Sequence, residues 1–356
     1  MSDDVREMWS EDELDAALAA LESEVDTKDE ALARSRADLM AAAGAPASIP
    51  AHRARRHWAW WSAAAATVLA IVGGLVFLQT GNQPVASAAA RELNSAADKI
   101  GGADEPVGAG QYRYVATHAW YLQTGVPSGD KEFSYFEEHL IETWVPADWR
   151  QEWLQRETVT GKRQWVDGSE AEARTAGLRP PPRRTSENRA RCGGFSAAIE
   201  GIDPCTPGSW DQVTVGFMDS LPRDPQQLYD TLRDFEAREH GDGDRGYRML
   251  SHAAELLHTG LARADLRAVL YRMLGMVPGL RITENVANLD GRKGIAFGMA
   301  RGDQRLDVII DPATGQYIGE REVALKGSDA VPAGTVQEYT SVVVAVVDHQ
   351  GDKPAG

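Results

Sequence analysis

WAWWSAAAATVLAIVGGLVFL, Trp58 to Leu78, divides the chain. It carries no charged side chain and is long enough to cross a bilayer core, which takes ~20 helical residues. His52, Arg53, Arg55, Arg56 and His57 stand just before it, and uncharged Gln79, Thr80, Gly81 and Asn82 follow it. The positive-inside rule then places the N-terminal tail in the cytoplasm and everything after Leu78 outside. Four segments are expected: a helical cytoplasmic tail over 1–57, one transmembrane helix over 58–79, an extracytoplasmic α+β domain over 80–350, and a disordered C-terminus over 351–356.

A cleaved signal peptide is the alternative, because Ala86-Ser87-Ala88 has the small-x-small form of a cleavage site. Such a peptide has an apolar core of ~7–15 residues behind a short basic start. Here a long polar tail precedes a longer run, so a retained signal-anchor is expected. A formal net charge of −16 argues against general nucleic-acid binding, which needs a basic surface to neutralise phosphates. Cys192 and Cys205 both fall on the outer side, where disulfides persist. They are candidates for a bridge; two free thiols are the alternative.

In the tail, Ser10 followed by Glu13 has the form of a capping box, with Leu14, Leu18, Leu21 and Val25 at helical spacing behind it. A second run from Asp29 to Ala43 places Leu32 and Leu39 on one side before Gly44-Ala45-Pro46 stops it. Two helices this short cannot enclose a core, since domains below ~40 residues are marginal. Either the tail docks on a cytoplasmic partner through Leu14, Leu18, Leu21, Leu32 and Leu39, or it is a loosely ordered acidic segment.

Outside the membrane, the pattern predicts a helix over Ala86–Ile100, then strands over Gln111–Gln123, Phe133–Val145 and part of Gln151–Val166. Asp167–Gly208 reads as a long loop, stiff and basic at Leu178-Arg179-Pro180-Pro181-Pro182-Arg183-Arg184. Helices are expected over Gln226–Glu239, Gly246–Thr259 and Ala264–Leu274. Strands return at Leu280–Leu289, Gly294–Ala300, Arg305–Asp311, Gln316–Leu325 and Thr335–Val347, with Asp290-Gly291 and Pro312-Ala313-Thr314-Gly315 as turns. The valine run Val342–Val347 suits a buried central strand. Short polar turns between successive strands favour antiparallel pairing.

No catalytic constellation emerges. HExxH, Walker A, GxSxG and the dinucleotide fingerprint are all missing from the sequence. His252 and His258 lie six residues apart on an expected helix, the wrong spacing for two ligands on one face. No catalytic, cofactor-binding or metal-ligating residue is therefore nominated, and an enzyme is not expected. Glu137, Glu138 and Glu142 read as a solvated strand face. Tyr112, Tyr114, Trp120, Phe133, Tyr135, Trp144, Trp149, Trp153 and Trp165 read as core and cross-strand packing, or as the lining of an apolar pocket on a concave sheet.

The chain resembles an actinobacterial family of uncharacterised single-pass membrane proteins commonly encoded beside extracytoplasmic-function sigma factors. The resemblance rests on DEALARSRADLMAAA before the basic cluster, ASAAARELNSAAD beyond the span, GQYRYVATHAWYL, ETWVPADW, LPRDPQQLYDTL, VLYRMLGMVPGLRI, VIIDPATGQYIGEREV and GTVQEYTSVVVAVVD. It implies an anti-sigma-like role for the tail. It also implies that the outer part is a curved antiparallel sheet packed with helices, similar to the half-barrel of lipoprotein carriers. The chain departs from typical anti-sigma factors in its short tail and in having no His/Cys zinc motif there. Two functions are expected on these grounds. One is a membrane regulatory protein with an extracytoplasmic sensor domain and a cytoplasmic sigma factor as partner. The other is a membrane-tethered binding module for a lipid or other apolar ligand.

Overall fold

The computed structural model describes residues 85–100, 104–126, 131–241, 243–328 and 330–354. The apolar stretch 58–78 and the tail leucines lie outside the described residues. Among the described residues, no helix is long and apolar enough to cross a membrane.

Aromatic and β-branched residues at alternate positions make a first meander of long strands: β1 (Tyr112–Gly125), β2 (Phe133–Pro146) and β3 (Glu152–Asp167). A second meander follows the helices: β5 (Arg281–Ala287), β6 (Lys293–Arg301), β7 (Gln304–Ile310), β8 (Tyr317–Ala324) and β9 (Val336–Val347). With β4 (Arg184–Arg191) they form one open antiparallel sheet in the order β4-β3-β2-β1-β9-β8-β7-β6-β5. The last strand therefore returns to the first, with Val115 opposite Val344 and Thr117 opposite Val342. As expected of its valines, β9 is central, yet Val343 and Val344 are 45% and 43% exposed.

Four longer helices cover one face of the second meander. They are α1 (Val85–Lys99), α5 (Pro225–Glu239), α6 (Arg245–His258) and α7 (Ala264–Leu274). Helix α5 starts where Pro225 takes the first helical position and the Asp224 carboxylate accepts from the Gln227 amide. Its Leu228 and Leu232, with Leu250 and Leu257 of α6 and Leu270 and Leu274 of α7, pack on Phe297, Val308 and Ile310 of the sheet in one apolar core. The opposite sheet face carries a smaller cluster of Tyr114, Trp144, Leu154 and Val347. It also carries Asp307, fully buried, whose carboxylate accepts from Arg305, Arg321 and Thr283.

Three expectations need correction. The segment 167–208 is not one loop. It forms α2 (Glu170–Thr175), the edge strand β4 and α3 (Phe195–Glu200), and a further short helix, α4 (Val215–Ser220), follows it. Strand β4 reads RTSENRAR, whose one buried position is Ala190, so it has no apolar period to reveal it. Secondly, Glu137, Glu138 and Glu142 are only 4%, 5% and 6% exposed. Each is held by partners: Arg163 on Glu137, Lys162 and Thr160 on Glu138, and Tyr114 and Lys353 on Glu142. Thirdly, residues 351–354 do not fray. The Asp352 carbonyl accepts from the Trp144 indole, and Lys353 pairs with Glu142. Cys192 and Cys205 form a disulfide with a Cα–Cα distance of 5.2 Å.

Candidate functional site

The turn from α6 to α7 lies directly on the sheet because of one glycine. Gly260 has φ +64°, and a Cβ there would stand 2.7 Å from Val115 Cγ1 and 3.0 Å from Val344 Cγ2. Leu261 and Ala262 lead on to Arg263, the residue capping α7, which supplies no side-chain cap of its own. Asp104 does so from the loop before β1. One of its oxygens accepts from the Ala264 amide at 2.8 Å and the other from Arg267 Nη2 at 2.7 Å. A carboxylate at a helix start is favourable, because the unpaired amides and the helix dipole both attract negative charge.

Between this turn and strands β1 and β9 lies a cavity of about 390 Å³. Four arginines line it: Arg113, Arg263, Arg267 and Arg292, against two acids, Asp104 and Glu105. Apolar surface is contributed by Leu257, Leu261, Tyr317, Val342 and Val344. Arg292 is tied to Asp311 at 2.6 Å, and exposed Arg263 reaches Asp265 at 3.6 Å. Arg267 is paired with Asp104 and also donates from Nη1 to the Ala262 carbonyl at 2.7 Å. Arg113 donates to the Glu105 carbonyl at 2.6 Å but has no carboxylate within ion-pair distance among the described residues. Burial lowers its pKa, Asp104 and Glu105 oppose the shift, and Arg267 adds to it. Arg267 is buried along its length, and its Nε makes no hydrogen bond.

Tyr317 links the cavity to a carboxylate cluster. Its ring borders the cavity, while its hydroxyl, raised well above its ordinary pKa by burial, is next influenced by Glu320. Glu320 accepts a hydrogen bond from His258 Nδ1 at 2.7 Å. Burial works against charge on His258, yet the bond to Glu320 and the proximity of Glu338 and Glu255 push its pKa up to about 9. Glu338 is pushed up to about 7 by burial, then by Glu320, Glu322 and Glu255, with His258 opposing. Tyr121 is raised by burial and by Glu338, Glu320 and Glu157.

Other charged groups are satisfied within the fold. On the opposite sheet face, His118 bridges Asp290 at 2.6 Å and Glu138 at 3.1 Å. His252 meets Glu236 at 2.7 Å, so the two histidines that share α6 serve different partners. Each side-chain hydrogen bond or ion pair described for a histidine is with a carboxylate, and the other described histidine contacts are with the rings of Tyr121, Trp210 and Phe235. Among the described residues, no group of three or more His, Cys, Asp or Glu side chains could hold a metal ion.

The aromatics of the first meander pack against one another. Tyr114 meets Trp144 at 5.4 Å, and Tyr135 meets Trp165 at 4.9 Å. None of the nine aromatics expected as alternative pocket lining borders the cavity, whose aromatic side chain is Tyr317. Sequence reading passed over the arginines because they come from three separate segments: Arg113 from β1, Arg263 and Arg267 from the start of α7, and Arg292 from the β5–β6 turn. No protein-family model and no curated protein matches the chain.

Proposed function

We propose that the chain is a single-pass membrane regulatory protein, anti-sigma-like, whose extracytoplasmic domain binds a small molecule and whose tail engages a cytoplasmic sigma factor. The observation that carries the sensing half is the arginine-lined cavity beside the α6–α7 turn. It is more polar than most ligand sites, with four arginines set beside an apolar strand surface, so a ligand with a charged and an apolar part finds contacts for both. The resemblance to proteins encoded beside sigma factors supports the other half. In this reading, the open sheet with helices on one face is a half-barrel, and residues 58–79 carry it on the outer membrane surface.

The tail is tested with the full chain in nanodiscs and extracytoplasmic-function sigma factors of its source cell, first of all any encoded beside its gene. Co-purification is expected with micromolar or tighter affinity (~8 kcal/mol or more). It should be lost when Leu14 and Leu18 are changed to Glu. Absence of binding would overturn the anti-sigma half. The cavity would then favour the second reading, a membrane-tethered binding module with no cytoplasmic output.

A further inference from the structure

We propose that the cavity between the α6–α7 turn and strands β1 and β9 takes an amphipathic anion: a carboxylate or phosphate monoester joined to a short apolar body. This rests on the reading of the exterior as a binding domain and adds the class of ligand.

Three observations converge on it. The first is the lining, in which four arginines gather in a chain of net charge −16; Arg263, Arg267 and Arg292 are paired with Asp265, Asp104 and Asp311, and Arg113 has no ion pair among the described residues. Cations gathered at one hollow of an acidic protein favour an anionic occupant by local attraction. The second is unfilled donor capacity. Arg113 forms no ion pair among the described residues, its side chain donating to the Glu105 carbonyl, and the buried Nε of Arg267 has no acceptor. A buried donor left without an acceptor costs free energy, and most such groups in folded proteins are met by a partner, a water or an ion. Guanidinium is well suited to this task, because its planar fork matches two oxygens of a carboxylate or phosphate.

The third observation is Asp104. Its carboxylate fills the position between the first amide of α7 and Arg267, which leaves Arg113 as the lining cation without a carboxylate bound to it among the described residues. A ligand oxyanion would lie beside it, against Arg113. The apolar body would then lie on Val342, Val344, Leu257 and Tyr317. A volume of about 390 Å³ is near the small end of ligand sites (~300–1,000 Å³), which suits one short chain or ring rather than a two-chain lipid.

The test is equilibrium dialysis of the full chain in nanodiscs against empty nanodiscs of the same lipid. Radiolabelled octanoate, octyl phosphate, inorganic phosphate and octylammonium serve as probes. Octanoate, octyl phosphate or both should bind roughly tenfold or more tightly than octylammonium and inorganic phosphate. Arg113→Gln should weaken that binding by a similar factor. Val344→Asp places a carboxylate at an exposed cavity position and should do the same without removing a core group. Unfolding midpoints of both variants check that the fold persists. Octylammonium bound as tightly as octanoate, or affinity unchanged in both variants, would overturn the anionic ligand while leaving a binding domain in place. Inorganic phosphate bound as tightly as octyl phosphate would overturn the apolar portion. Binding of no probe would overturn both the ligand class and the binding-domain reading.

Discussion

Glu338 is a carboxyl held in the wrong environment for its charge. It stands opposite Glu322 across β8 and β9 and near Glu320, Glu255 and His258. Its folded pKa of about 7 lies above the ordinary 4.5, so the fold favours the neutral form. Its contribution is full below about pH 4.5 and is lost as pH rises toward 7. His258 adds a second decline, full below 6.5 and lost as pH rises through about 9. Both groups therefore make stability fall with rising pH. Glu338→Gln should raise stability at pH 8 by on the order of 2 kcal/mol and change little at pH 4.5. Urea unfolding at the two pH values measures this; equal differences at both would contradict it. Gly260 is the other residue on which the site depends. Gly260→Ala forces a side chain into left-handed backbone and against Val115. A loss of about 2 kcal/mol is expected in the same unfolding experiment.

The elements legible in the sequence were those whose own residues announce them. β1, β2 and β9 show aromatic or β-branched runs, and α6 shows Met249, Leu250, Ala253, Leu256 and Leu257 on one side. β4 and α2 escaped notice because a polar edge strand and a six-residue helix bury almost nothing. The glutamates of β2 misled for a different reason: alternation suggests which face a residue takes, but not that Arg163, Lys162 and Lys353 arrive to neutralise it. The cavity was invisible for the same cause. Arg113 comes from β1, Arg267 from α7 and Arg292 from the β5–β6 turn, and only the fold brings them together. The disulfide ties the end of β4 to the segment after α3, and leaves Ile199 and Ile202 exposed in the closed loop. Replacing both cysteines by serine should cost about 3 kcal/mol on the loop-entropy estimate for a loop of this size. Protease cleavage within 193–204 should then appear before global unfolding. Unchanged cleavage and stability would show that this segment is held by packing alone.

At the scale of the molecule, the cavity and the chain leading toward the predicted membrane span share a helix partner. α7 reaches the cavity through Arg267 in its first turn and packs along α1, where Arg272 pairs with Asp98 at 2.6 Å. Lys99, at the end of α1, donates to the Pro312 carbonyl at 2.6 Å. Leu93 and Ala96 of α1 belong to the same core as Leu270 and Leu274 of α7. A ligand that repositions the start of α7 would therefore act on the element that follows residues 58–79 in sequence. Regulation then requires a difference in ligand affinity between two arrangements of this helix pair. Hydrogen exchange of the full chain in nanodiscs, with and without saturating octanoate, tests the binding site most directly. Added protection is expected over 256–268 and 340–347, with a smaller effect on α1. Unchanged exchange over both cavity segments, with protection elsewhere in the exterior, would contradict the assignment of the cavity as the ligand site.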